Sequence, residues 1–132
     1  MLTSHTKEAE KFSFDEYAAI AAALQPYIDA ARTGNGSGMR HVWFDHAHIV
    51  GSLDGNPINV DAEAFCKFID EVGGSPDVQA RIVSIDYQGN AGSAHIEFQD
   101  WGGARYTDFF VLYKQDGQWK ISAKVYDSHT RN

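Results

Sequence analysis

The fold is decided by residues 78 to 127, which read VQARIVSIDYQGNAGSAHIEFQDWGGARYTDFFVLYKQDGQWKISAKVYD. Three pairs of turn-forming residues divide this stretch: Gly89-Asn90, Gly102-Gly103 and Asp116-Gly117. Such pairs favour the tight turns of β-hairpins, and the segments between them are rich in β-branched and aromatic residues. The sequence therefore predicts four consecutive strands in one antiparallel meander.

The turns also predict which side chains lie opposite each other. A two-residue turn in the central hairpin places Glu97 opposite Asp108, and a three-residue loop in the last hairpin places Asp108 opposite Lys124. Two carboxylates and an ammonium group in one row would have coupled protonation. Such a row suits a general acid/base or an anchor for a polar ligand. The simpler alternative is a cross-strand ion pair that only fixes the register.

The predicted sheet has two different faces. One face is almost wholly apolar and carries Val83, Ile85, Ala94, Ile96, Phe98, Phe109, Val111, Tyr113, Trp119, Ile121, Ala123 and Val125. The other face is mixed and carries Ile82, Ser84, His95, Glu97, Gln99, Tyr106, Asp108, Phe110, Leu112, Lys124 and Tyr126. In an isolated antiparallel sheet, the apolar face would pack on the helices and the mixed face would meet water. The alternative is that the mixed face lines a pocket.

The N-terminal half is predicted to be mainly helical. Ser13 and Glu16 have the spacing of a capping box, which predicts a first helix from Ser13 to about Gly34, kinked at Pro26. We expect a short second helix over residues 39–44 and a strand over residues 47–53. A third helix begins after Asp61 and ends at residues 73–74. Its apolar spacing predicts four buried side chains: Phe65, Phe68, Ile69 and Val72.

Helices followed by a long meander predict an α+β domain. The chain has 132 residues, of which 43% are hydrophobic, so we expect one domain over residues 13–132 after a flexible segment, residues 1–12. The net charge of −7 and the lack of a basic cluster argue against nucleic acid or membrane partners. The polar N-terminus and the single cysteine predict a cytoplasmic protein. Cys66 is expected to be buried and unreactive.

No metal site or cofactor is predicted. His46 and His48 project from the same strand face, but the sequence shows no further ligands that converge with them. No glycine-rich phosphate loop is present either.

Three segments together resemble the nuclear transport factor 2-like (NTF2-like) superfamily over nearly the whole chain. They are residues 27–35 (YIDAARTGN), 43–47 (WFDHA) and 116–121 (DGQWKI). Residues 106–108 and 124–126 are most similar to the group labelled putative lumazine-binding. The resemblance implies a cone-shaped barrel, in which about three helices from the N-terminal half cover a strongly bent antiparallel sheet. It also implies a pocket inside the cone and homodimers formed through the sheet.

The resemblance also implies roles for particular residues. Positions similar to Phe110, Lys124 and Tyr126 face the pocket in the superfamily. Tyr27 stands where ketosteroid isomerase-like members place a hydrogen-bonding tyrosine, although its place on the apolar helix stripe is also typical of a core residue. Gly51 stands where those isomerases have a carboxylate base, so their proton-abstraction mechanism does not transfer directly.

The sequence therefore predicts a homodimer, associated through the apolar sheet face, that binds a small organic molecule. The predicted ligand-binding residues are Tyr27, Trp43, His95, Glu97, Tyr106, Asp108, Phe110, Lys124 and Tyr126. The alternative is a cofactor-independent isomerase, dehydratase or cyclase with Asp108, Glu97 and Tyr27 as catalytic candidates. In that mechanism Asp108 or Glu97 is the base, and Lys124 or Tyr27 stabilises the anion. A third possibility is a dimerisation or interaction domain without catalysis.

Overall fold

The computed structural model describes residues 12–131. Their helical elements are α1 (Asp15–Thr33), a 3-10 helix (Ser37–Val42) and α2 (Ala62–Val72). The strands are β1 (Trp43–Leu53), β2 (Asn56–Asp61), β3 (Gln79–Gln88), β4 (Ala91–Trp101), β5 (Ala104–Gln115) and β6 (Gln118–Arg131). The predicted flexible segment lies outside the described residues except for Phe12, whose ring stacks on Tyr87.

The six strands form one open sheet in the order β2-β1-β6-β5-β4-β3. The predicted α+β class and the meander of four strands are confirmed. The sheet is not wholly antiparallel, however, because β1 runs parallel to β6. This parallel contact joins the first hairpin, β1 and β2, to the meander, with α2 in the connection between them. None of the described helices has the length and apolar character needed to cross a membrane.

The start of α1 is fixed by a tertiary contact rather than by the predicted capping box. The helix begins at Asp15, whose backbone N–H donates a hydrogen bond of 3.1 Å to the Ser13 hydroxyl, but the reciprocal bond of a capping box, from the Ser13 N–H to Glu16, is not formed. The Glu16 carboxylate instead accepts hydrogen bonds from Lys114 Nζ at 2.6 Å and from Trp119 Nε1 at 2.9 Å. These bonds tie the first turn of α1 to β5 and β6.

The predicted cap of α2 is confirmed, since Asp61 accepts a hydrogen bond from the Ala64 backbone N–H at 2.8 Å. Two apolar side chains of α2 that were expected to be buried, however, are exposed. Phe68 is 43% exposed and Val72 is 61% exposed. Both lie at the edge of a cavity, which explains why an apolar stripe continues beyond the core. Cys66 is buried as predicted, and burial raises the pKa of its thiol to about 11.

One hydrophobic core fills the space between the helices and the concave face of the sheet. It includes Ile20 and Leu24 from α1, Phe65 and Ile69 from α2, and several sheet residues. The sheet residues are Ala94, Ile96, Phe98, Phe110, Leu112, Trp119 and Ile121. The opposite, outer face exposes six large apolar side chains: Val50, Val83, Phe109, Val111, Tyr113 and Val125.

The register of the central hairpin differs from the prediction because β4 contains a bulge. The two-residue turn pairs Trp101 with Ala104, but β4 has one more residue than β5 between this pair and the next one, Phe98 with Tyr106. Asp100, in the bulge, has a positive φ of 59°. Because an added residue shifts every later pair, Glu97 lies opposite Thr107 and not opposite Asp108.

The register of the last hairpin also differs from the prediction, because β6 contains a second bulge. The turn has two residues rather than three, and β6 carries an extra residue, Ser122, between the partners of Val111 and Leu112. Asp108 therefore pairs with Tyr126, and Lys124 pairs with Phe110. The predicted pairing of Asp108 with Lys124 is wrong by two residues, which leaves both side chains on the same face.

Because of the two bulges, the concave face of the sheet combines side chains from both predicted faces. Trp119 and Ile121 belong to the concave face together with Asp108 and Lys124, whereas the predicted register separated these two pairs.

Candidate functional site

A cavity of about 390 Å³ lies between α2 and the concave face of the sheet. Most of its lining is apolar or aromatic: Leu53, Phe65, Phe68, Ile69, Val72, Trp101, Tyr106 and Tyr126. Three charged residues also line it: Asp54, which is exposed, and Asp108 and Lys124, whose side chains are almost completely buried. Pockets of this composition and size suit small organic ligands.

Asp108 and Lys124 belong to a buried cluster with Tyr27. The Tyr27 hydroxyl donates a hydrogen bond of 2.5 Å to Asp108 Oδ2, and Lys124 Nζ donates one of 2.8 Å to the Tyr27 hydroxyl. Lys124 Nζ lies 3.8 Å from Asp108 Oδ2. The other carboxylate oxygen, Asp108 Oδ1, is buried and has no hydrogen-bond partner among the described residues. It is therefore free to accept a hydrogen bond from a ligand.

Aromatic rings surround the Lys124 ammonium group. Its Nζ lies 4.1 Å from the ring centre of Phe65, 4.5 Å from that of Tyr126 and 4.8 Å from that of Tyr27. The faces of such rings attract a cation. They supply few hydrogen-bond acceptors, so Lys124 keeps donor capacity for a ligand.

Burial perturbs the titration of every member of the cluster. Loss of hydration raises the pKa of Asp108, although the nearby Lys124 opposes this change. Loss of hydration also lowers the pKa of Lys124 to about 8. For Tyr27, burial and the Asp108 carboxylate hold the pKa of the phenol well above its ordinary value. The phenol therefore stays protonated, while Asp108 and Lys124 can share a proton.

Tyr27 combines the two roles that the sequence left open. It is fully buried, and its ring packs against five others: those of Trp43, Phe65, Phe98, Trp101 and Phe110. The Tyr27 hydroxyl belongs to the polar cluster, but Tyr27 does not line the cavity. Trp43 and Phe110 likewise contact Tyr27 and not the cavity, so the three residues support the site without lining it.

The assignment of His95 and Glu97 to the pocket is wrong. Both project from the outer face of the sheet, because the bulge in β4 shifts the register there. His95 Nε2 lies 2.7 Å from Glu97 Oε2, and Arg105 donates a hydrogen bond of 3.2 Å to Glu97 Oε1. Partial burial of the Glu97 carboxyl acts to raise its pKa. Hydrogen bonds from His95 and Thr107 outweigh this effect, so the pKa of Glu97 is lowered.

Gly51 lies under the ring of Tyr126. A Cβ atom added at Gly51 would stand 2.4 Å from Tyr126 Cδ1 and equally close to the Tyr126 carbonyl oxygen. Position 51 therefore has no room for any side chain in this chain. The ring of Tyr126 fills that space and forms part of the cavity wall.

The sequence predictions omitted several lining residues. Phe65, predicted as a buried residue of the third helix, lines the cavity as well, and so does Trp101, the last residue of β4. For the residues of α2, the signal is an apolar stripe that continues to the last turn of the helix, at Val72. Within residues 12–131, no three His, Cys, Asp or Glu side chains are grouped closely enough to hold a metal ion.

Comparisons with known proteins match most of the length of the chain. The family described as Putative lumazine-binding matches residues 15–127. A protein from Cladobotryum sp, named Aldolase FrzH, is 23% identical over 124 residues, which cover 93% of this chain and 99% of that protein.

Two solved structures, both of NTF2-like proteins of unknown function, are also similar. The one from Shewanella baltica is 32% identical, with a TM-score of 0.84, and covers 91% of this chain and 99% of its own. The one from Methylobacillus flagellatus is 29% identical, with a TM-score of 0.85, and covers 92% of this chain and 98% of its own.

The first prediction concerns the energetic coupling of Asp108 with Lys124. Asp108→Asn and Lys124→Met should each lower the free energy of unfolding by about 1 to 3 kcal/mol, since each leaves a buried group without its partner. The double variant should recover part of this loss, with a coupling free energy above about 1 kcal/mol. Denaturant unfolding at low and high salt measures these values.

The matched control is the more exposed pair of Glu97 and Arg105 on the outer face of the same sheet. The cycle of Glu97→Gln and Arg105→Met should give a coupling of only a few tenths of a kcal/mol that weakens with salt. If the coupling of Asp108 with Lys124 is no larger and is equally salt-sensitive, the two groups are not a buried pair.

Proposed function

Because the chain belongs to the family described as Putative lumazine-binding and has an NTF2-like fold, we propose that it binds a small organic molecule in the cavity beside α2. The observation that carries this proposal is the polar cluster at the wall of a mostly apolar cavity. Burying two ionisable groups opposes folding unless their polar atoms find partners. A ligand that bonds to Lys124 Nζ and Asp108 Oδ1 would supply the missing partners.

The cavity also supports a class of ligand. Five aromatic rings, those of Phe65, Phe68, Trp101, Tyr106 and Tyr126, favour a flat body that stacks or packs edge-on. A carbonyl group of the ligand would accept a hydrogen bond from Lys124, and an adjacent N–H group would donate one to Asp108 Oδ1. Pteridine and isoalloxazine rings carry this pair of groups on one edge, in agreement with the family description.

Filling the cavity should abolish ligand binding. Val72→Trp places an indole at the edge of the cavity, and because Val72 is exposed this change should alter stability little. Glu71→Trp adds the same side chain at the neighbouring exposed position of α2. We expect a saturable change in tryptophan fluorescence when lumazine, riboflavin or benzoylacetone is titrated into the wild type. At least one of the three should bind.

For each probe that binds, affinity should fall at least about tenfold in Val72→Trp, because the indole occupies the space that the ligand needs. Affinity should be retained in Glu71→Trp. Equal binding by both variants would place the ligand outside this cavity.

We also propose that two copies of the chain associate through the outer face of the sheet. Its exposed apolar side chains, which include Phe109, Val111 and Val125, form a surface that a monomer would leave in water. Self-association would cover it and leave the cavity on the concave side open. A cytoplasmic location remains the expectation from the sequence.

A charge at the centre of this face should separate the copies. Val111→Asp should convert a dimer to a monomer at micromolar concentration, as measured by light scattering after size-exclusion chromatography, because an unpaired charge in an apolar interface is unfavourable. Val72→Asp, which alters an exposed apolar side chain of α2, serves as the control and should stay dimeric. A monomeric wild type would contradict the proposed interface.

A second candidate function is enzymatic, and the relative named an aldolase supports it. Aldol reactions begin with removal of a proton from the carbon atom next to a carbonyl group. Asp108 Oδ1 could act as the base, Lys124 could stabilise the resulting oxygen anion, and Tyr27 would hold both groups in position. Glu97 has no part in this proposal.

Hydrogen exchange tests the enzymatic proposal. In deuterium oxide, the wild type should accelerate deuterium uptake next to the carbonyl of 4-phenyl-2-butanone, followed by NMR, because a positioned base contributes a factor of about 100 or more. Asp108→Asn should lose this acceleration, and Glu97→Gln should keep it. Exchange at the buffer rate in the wild type would leave binding as the function.

A further inference from the structure

We propose that Lys124 is a covalent site, at which its side-chain amine condenses with an aldehyde or ketone in the cavity to form an imine. This inference rests on the proposed ligand-binding function and specifies the chemical class of ligand. The ligand would carry a carbonyl group attached to an aromatic or apolar body, in keeping with the lining of the cavity.

The surroundings of Lys124 are those of a reactive amine. Lys124 lines the cavity, yet its side chain is only 3% exposed. The hydrogen bond to the Tyr27 hydroxyl uses one N–H of the amine and fixes the position of Nζ. Among residues 12–131, no carboxylate oxygen accepts a hydrogen bond from it, since Asp108 Oδ2 is 3.8 Å away. The lone pair of the neutral amine therefore remains available to a carbonyl carbon.

The neutral amine can form without a change in the net charge of the cluster. An ammonium beside a carboxylate and an amine beside a carboxylic acid differ only in the position of one proton. Burial disfavours the charged form of both groups, which lowers the pKa of Lys124 to about 8 and raises that of Asp108. Because no ion enters or leaves the apolar site, the nucleophile forms without a further desolvation cost.

The side chains of Lys124 and Asp108 supply every proton that the condensation transfers. The neutral Lys124 amine attacks the carbonyl carbon, and one of its hydrogens moves to the carbonyl oxygen to give a carbinolamine. Protonated Asp108 then donates its proton to the carbinolamine hydroxyl, and the C–O bond breaks with release of water. The products are a protonated imine on Lys124, an ionised Asp108 and one water molecule.

The same surroundings stabilise the product. The protonated imine carries its positive charge close to the position of the former ammonium group. There it remains beside the Asp108 carboxylate and faces the rings of Phe65, Tyr126 and Tyr27. The apolar cavity walls limit the access of bulk water, which would hydrolyse the imine.

Benzoylacetone tests the covalent site, because a β-diketone that condenses with an amine gives a stable enaminone that mass spectrometry can locate. The wild type is expected to carry one adduct per chain, on the peptide that contains Lys124. At a pH of about 8, roughly half of a group with this pKa is neutral, against about 0.4% of an ordinary lysine. Labelling should thus be at least about tenfold faster than on the exposed Lys67.

Four variants complete the experiment. Lys124→Met should lose the adduct, whereas the matched control Lys67→Met should keep it. Asp108→Asn keeps the amine but lacks the acid, so its labelling at Lys124 should slow by about tenfold or more. The double variant Asp108→Asn/Lys124→Met leaves no unpaired charge and replaces Lys124→Met if that variant does not fold.

The corresponding diol, 1-phenyl-1,3-butanediol, has no carbonyl group and is titrated in parallel by tryptophan fluorescence. If the diol binds while benzoylacetone leaves Lys124 unmodified, the imine is wrong and the binding pocket stands. If neither compound binds or modifies the wild type, the imine is wrong; the proposed pocket loses its support as well only if lumazine and riboflavin also fail to bind. Adducts spread evenly over the lysines, and unchanged in Lys124→Met, would also overturn the inference.

Discussion

The hydrogen-bond chain from Lys124 through Tyr27 to Asp108 is the interaction on which the site depends. It joins α1 to two neighbouring strands, and all three side chains are buried. The Tyr27 phenol cannot move easily, because five aromatic rings enclose it. The chain therefore holds an amine and a carboxyl group in fixed positions at the wall of a cavity, and such preorganisation is what binding and catalysis require.

The energetic effect of this cluster differs from that of an ordinary ion pair. A buried pair of charges is on balance no more stabilising than apolar side chains of the same volume, because desolvation offsets the attraction. What burial does change is protonation, since it lowers the pKa of Lys124 and raises that of Asp108. The cluster is thus better suited to holding a ligand or moving a proton than to stabilising the fold.

The two faces of the sheet present different chemistry. The concave face carries the core and the cavity, whereas the outer face carries exposed apolar side chains around a polar group formed by His95, Glu97 and Arg105. Bulges decide which side chains belong to which face. One extra residue in β4 turns Glu97 away from Asp108, and one in β6, Ser122, brings Lys124 to the side of the core residue Ile121.

Much of this architecture could be predicted from local sequence. The hairpin turns, the Asp61 cap and the apolar stripes of the helices depend on neighbouring residues, so the α+β class and the strand meander followed directly. Asp108 and Lys124 were correctly predicted to share a face, because their pairing was wrong by an even number of residues and side chains alternate with a period of two.

Tertiary structure alone decided the remaining features. Nothing local marks Gln99, Asp100 or Ser122 as bulge residues, since a bulge is stable only where packing on both sides of the sheet rewards it. The parallel contact of β1 with β6 and the exposure of the last turn of α2 likewise depend on distant partners. The sequence by itself determined which elements form and which residues could carry chemistry. The three-dimensional packing decided which of them meet, because one inserted residue reverses the direction of every side chain that follows it in the strand.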